Sequence, residues 1–140
     1  MRRGNGIAVF FGMLLALSSA VRADDLSEAK RFLCTGHLVA RCTPDQECVT
    51  GPPYILNLPP FIVVDLAAKT LGTPSSAEEQ RVSQIARIQR SNGLILLQGD
   101  DNGRAYSWTI VEESGSLTAS VSDADEGIVV FGACTPYSGR

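Results

Sequence analysis

The sequence predicts an all-β fold: a small antiparallel barrel or sandwich of seven or eight strands, stapled by two disulfides. Three observations lead there. The C-terminal third alternates apolar and polar residues in short runs, the period-2 pattern of a half-buried strand. Turn chemistry punctuates those runs: "SNG", "GDDNGR", "EESGS" and "SDADEG". The cysteine count is even, at four, in a chain that opens like an exported protein, which reads as a disulfide framework.

The chain begins with Arg2 and Arg3, an 11-residue apolar run from Ile7 to Leu17, and small residues up to Ala23. This is the three-part pattern of a secretory signal, and the run is too short for a spanning helix of about 20 residues. Val21-Arg22-Ala23 fits the cut rule, with Ser18-Ser19-Ala20 as second choice. The expectation is a cleaved signal peptide over 1–23 and a single β-domain over 24–140, free in the periplasm or secreted. Arg2-Arg3 lacks the apolar pair of a twin-arginine signal, and no cysteine near the cut site would take a lipid. Of the 12 basic residues the leader takes three, and none of the 15 acids. The mature domain therefore carries nine bases against 15 acids, a net charge of −6. With no cluster of Lys or Arg, this excludes nucleic acid and anionic lipid as expected partners. The sign suits solubility first, and it permits a basic protein partner.

After the leader, "DDLSEAKRFL" predicts one short helical turn with Ser27 as cap. "HLVARC" is a short strand. In "GPPYILNLPPF" two Pro-Pro pairs flank an apolar core, giving an edge strand or an extended crossing, because proline donates nothing to a ladder. "FIVVDLAAKTL" opens as a buried strand that Asp65 interrupts, and "GTPSSAEEQ" is a loop. Residues 77–90 carry two signals. A capping-box pattern at Ser75 or Ser76 with Glu78 or Glu79, followed by Val82, Ile85 and Ile88, speaks for a helix. Asn92-Gly93 between that run and "LILLQG" speaks for a hairpin, hence a strand over Val82–Arg90. "RAYSWTIVEE", "SLTASVS" and "GIVVFGAC" complete a five-strand meander from Val82 to Cys134.

Cys34, Cys42 and Cys48 are spaced Cys-x7-Cys and Cys-x5-Cys, and Cys134 stands 86 residues further on. Zinc sites want pairs two to four residues apart, so no metal is expected. Four cysteines allow three pairings. Cys42–Cys48 with Cys34–Cys134 is favoured, because "TPDQ" turns the chain between Cys42 and Cys48. Cys42–Cys134 with Cys34–Cys48 stays open. His37, the one histidine, has no second histidine for a metal and no nucleophile to serve.

Chemistry-bearing motifs are sparse. Asp100, Asp101 and Asn102, and again Asp123, Asp125 and Glu126, put oxygens close together without the later bidentate Glu of a calcium loop. Hairpin turns account for both. Exposed turns would not raise a carboxyl pKa for glycoside cleavage. There is no nucleophile elbow and no phosphate-cradling glycine loop, so neither an enzyme nor a cofactor is expected. Tyr106 and Trp108 alternate on one strand face, where they either stack on a ligand or fill the core.

The stretch from Phe32-Leu33-Cys34 to "FGACTP" resembles small exported β-proteins of Gram-negative bacteria, through the early cysteine, the "WTI…SGSLTAS" strand pair and the Cys-terminated last strand. It is also similar to periplasmic inhibitors of C-type lysozyme, small barrels with an N-terminal cysteine bridged to a C-terminal one. Their inhibitory loop is of the Ser-Ala-Ser-Gly-Ala-Arg-Tyr type. "DNGRAY" (Asp101–Tyr106) is the counterpart, without the serines and with Ala and Arg exchanged. That resemblance implies Arg104 and Tyr106 as contacts to a basic partner such as lysozyme. Three functions follow as expectations: a non-enzymatic binding or protective domain, a lysozyme inhibitor, or a carrier of a small apolar ligand, with Arg104, Tyr106 and Trp108 as candidate contacts.

Overall fold

The structure is a computed structural model that describes residues 25–139; the signal over 1–23 falls outside the described residues. Ten strands make one curled antiparallel sheet: β1 (Arg31–Thr43), β2 (Gln46–Gly51), β3 (Ile62–Asp65), β4 (Thr70–Gly72), β5 (Val82–Gln84), β6 (Arg87–Ser91), β7 (Leu94–Asp101), β8 (Arg104–Val111), β9 (Ser116–Ser122) and β10 (Gly127–Pro136). The order is β5-β4-β3-β1-β10-β9-β8-β7-β6, with β2 paired to β1 off this path. The all-β class, the antiparallel pairing and the meander hold. The layout is one curled half-barrel sheet of nine strands with β2 appended, rather than two stacked sheets.

The count exceeds the expected seven or eight for three reasons. Residues 82–90, expected as one strand, break at Ile85-Ala86: Ile85 N–H donates to Lys69 O (2.8 Å) and Ala86 N–H to Gln98 O (2.9 Å). The segment thus serves both edges of the curl, β4 on one side and β7 on the other. The helical alternative for 77–90 is not realised. Thr70–Gly72 pairs with β3, too short a run to announce itself. The chain returning from the Thr43–Gln46 turn pairs with β1 as β2.

Hairpin chemistry appears where the sequence places it. Asn92 and Gly93 have φ of 53° and 73°, and Asn102 and Gly103 have 51° and 82°. Paired positive φ values are what a two-residue hairpin turn needs, and Asn and Gly reach them at least cost. The disulfides are Cys34–Cys134 and Cys42–Cys48. Cys34 and Cys134 are direct register partners of β1 and β10. The bridge therefore joins the first and last strands of the described chain as lateral neighbours.

The inner face packs Phe32, Val64, Ile95, Leu97 and Ile110, all fully buried. The N-terminal turn seals one end. Leu26 is also fully buried, and its N–H donates to Glu112 O (2.8 Å). The cap of this turn is Asp25, whose Oδ1 accepts the Ser27 N–H (2.9 Å), not Ser27. Arg90 fastens it, donating to Leu26 O (2.7 Å), Ser27 O (3.1 Å) and Ala29 O (3.1 Å) while pairing with Glu112 (3.0 Å). Asp65, the apolar run's interruption, pairs with Arg31 (3.1 Å) and accepts the Ala68 N–H (2.8 Å). No helix among the described residues is long and apolar enough to cross a membrane, which says nothing of strands.

Candidate functional site

Between β2 and β3 the chain forms a strap, residues 52–61, around a single 3-10 turn at Pro53–Leu56. Its four prolines (Pro52, Pro53, Pro59, Pro60) cannot donate backbone hydrogen bonds. The bonds it makes are internal: Ile55 N–H to Pro52 O, Asn57 N–H to Tyr54 O, and Leu58 N–H to Pro53 O. Asn57 ends the turn in the left-handed region, at φ 52°. Among the described residues no backbone hydrogen bond joins the strap to the sheet.

Beneath the strap lies an apolar cavity of about 150 Å³. Pro53, Leu58 and Pro59 roof it, and Trp108, Ala119, Val121 and Val130 floor it from β8, β9 and β10. Register explains the floor. Trp108 faces Ala119 across β8–β9, and Ala119 faces Val130 across β9–β10. Three adjacent inward positions thus hold one large, one small and one medium side chain, and the small one leaves the void. Gly36 of β1 adds a second gap. A Cβ there would stand 2.9 Å from Val130 Cγ1 and 3.1 Å from Pro53 Cγ, so the missing side chain seats the strap. Trp108, Val121 and Val130 remain only partly buried.

The expected contacts fall in different places. Trp108, the single tryptophan, is a wall of the cavity. Tyr106 lies two residues away on the same inner face but deeper. It is buried, its ring fills the space that a Cβ on Gly99 would occupy, and its hydroxyl donates to Gln84 O (2.6 Å). Burial, then the charges of Asp101 and Asp100, push its pKa above the ordinary tyrosine value. Arg104 heads β8 at the surface, bonded to Asp123 (3.1 Å) and Glu126 (2.9 Å), and Glu126 also takes Arg41 (2.6 Å). The three candidates are therefore not one site.

Carboxylates in both acidic turns accept hydrogen bonds from the domain itself. Asp123 Oδ1 accepts the N–H groups of Asp125 (2.8 Å) and Glu126 (2.9 Å), which hold its carboxyl below the usual range, with Arg104 adding to this. Asp101 accepts from Ser83 Oγ (2.6 Å) and Asn102 Nδ2 (3.0 Å). His37 is exposed, at the register shift between Gly36 and Leu38. Among the described residues no three His, Cys, Asp or Glu side chains gather as a metal would require.

Sequence reasoning missed the strap's role and the parts played by Gly36, Leu58 and Ala119. The one signal was the doubled Pro-Pro framing of "YILNL", which marks a crossing without saying what it crosses. Comparisons with protein-family models, with curated proteins and with solved structures find no match for the chain.

Proposed function

We propose that this chain is an exported, non-catalytic binding domain that holds a small apolar molecule against Trp108, beneath the proline strap. The observation that carries this reading is the cavity. The pocket of about 150 Å³ is lined almost wholly by apolar side chains and is partly open, so its walls forgo the roughly 25 cal/mol per Å² that covering them would gain. A larger residue at Ala119 would recover part of that gain. Leaving it open makes sense where something else fills it. An apolar pocket of this size has room for a ligand about as large as benzene.

Export is supported by the leader and by two disulfides, which persist in oxidising compartments. In this reading the curl works as a closed barrel, with the bend at Ile85-Ala86 as its seam, so the interior is one compartment. The inhibitor reading has the acidic balance on its side. Its contacts would be Arg104, already held by two carboxylates, and Tyr106, which faces inward. The carrier reading uses what lies at the cavity.

Trp108 is its own reporter. Toluene added to the purified protein should shift and saturate the tryptophan emission. Ala119→Leu, which fills the void, should abolish that response and raise the melting temperature. An emission unchanged by toluene up to its solubility, with no bound mass on protein taken from its host, sinks the reading.

A further inference from the structure

We infer that residues 52–61 are a lid, and that the natural ligand is an amphiphile: its apolar chain enters the cavity and its uncharged or cationic end stays in the groove outside. This rests on the apolar-cavity reading. On the strap's outer side a groove of about 400 Å³ runs between the strap and the loop over residues 73–81. Leu58 and Pro59 are walls of both spaces. These two residues therefore stand between the apolar space and a polar-lipped exterior. The cavity alone is smaller than most ligand sites; joined to the groove it enters their range of about 300–1,000 Å³.

The two walls of the groove differ in what holds them. The 73–81 loop is pinned by Thr73, whose N–H donates to Arg81 O (2.9 Å) and whose hydroxyl donates to Glu79 O (2.8 Å) and accepts the Arg81 N–H (3.0 Å). Gln80 Nε2 closes it further onto Ala77 O (2.8 Å). The strap has only internal bonds and apolar seats, so it is the wall that yields. Its seat is shallow, Pro53 resting over Gly36.

Charge selects the ligand's outer end. At the groove lip Arg81 is already paired with Glu79 (2.7 Å), while Glu78, which also lines it, has no ion-pair partner among the described residues. An anionic end would meet an uncompensated carboxylate. A hydroxyl or an ammonium would not. The half-exposed Phe61 and Pro60 offer that end an apolar shoulder.

The test is a chain-length series on the whole exported protein, followed by Trp108 emission and native mass. Straight 1-alkanols from butanol to decanol should bind roughly fourfold tighter per added methylene, with no plateau at hexanol. Decanoate should bind several-fold more weakly than decanol. Gly36→Ala, which lifts Pro53, should speed decanol association and leave toluene affinity within about twofold. A plateau at hexanol with toluene still binding overturns the lid and leaves the cavity reading standing. Decanoate binding tighter than decanol overturns the assignment of the outer end. Silence from every probe, toluene included, fails both readings together. The series on the unaltered chain decides the lid even if Gly36→Ala does not fold.

Discussion

The curled sheet is covered in two places by different means. Over the end of β8 Leu26 is fully buried, its turn bonded to Glu112 and held by three carbonyl contacts from Arg90. Over the middle of β8 to β10 a proline strap covers Trp108 and Val130 with apolar contact alone. The same strands run beneath the strap and up to the turn, so strand chemistry does not make the difference. Hydrogen-bonded closure gives a fixed plug. Proline-rich closure gives a cover whose release breaks no backbone bond to the sheet. One cover serves stability, and the other leaves room.

The harshest way to break this contrast is to cut the bond that joins β1 to β10. Replacing Cys34 and Cys134 by alanine frees a loop of sequence separation 100, worth about 4–5 kcal/mol in the chain-entropy model. Against a total stability of about 5–15 kcal/mol, that should leave much of the chain unfolded in urea melts. Removing Cys42–Cys48, of separation 6, should cost about 2 kcal/mol. Equal costs would mean that loop length does not govern either bond.

A sharper comparison sets Leu26→Ala against Leu58→Ala. The first empties the fixed plug and should cost about 2–5 kcal/mol by chemical denaturation. The second thins a partly exposed roof and should cost under about 1.5 kcal/mol, while changing Trp108 emission. Similar costs would erase the distinction between plug and cover.

The smallest effect is a pH response at the seam. Tyr106 has its pKa raised, first by burial, so folding favours its neutral form. That contribution is complete below the ordinary tyrosine pKa of about 10 and is lost as pH rises through Tyr106's own higher value. Stability measured against alkaline pH should fall for the native chain. Tyr106→Phe, lacking the hydroxyl that donates to Gln84 O, should start lower and show less of that fall. Asp123 has the opposite sign. Its carboxyl is held low by the N–H groups of Asp125 and Glu126, so its contribution is present above the usual carboxylate range and fades as pH drops through its lowered value.

Much of the fold was legible because its signals are local. Positive φ at Asn92-Gly93 and Asn102-Gly103 is written in the residue types, and alternation in "SLTASVS" puts Leu117 and Ala119 inward with no knowledge of a partner. The turn residues between Cys42 and Cys48 made that pairing readable. The site was legible only in fragments. Trp108 stood out, but its alternation with Tyr106 could not say which ring fills the core and which borders a void. Register decides that: Tyr106 sits opposite Gly99, and Trp108 opposite Ala119. Arg104 looked free because its carboxylate partners lie 19 and 22 residues along the chain.

By itself, then, the sequence determined the β class, the hairpin turns and the even set of cysteines, because period, backbone φ and thiol number belong to neighbouring residues. Tertiary structure alone decided that 82–91 bends to serve both edges, that Gly36 seats Pro53, and that a cavity opens beside Trp108. Each of those depends on atoms brought together from distant parts of the chain, and empty space has no residue of its own to announce it.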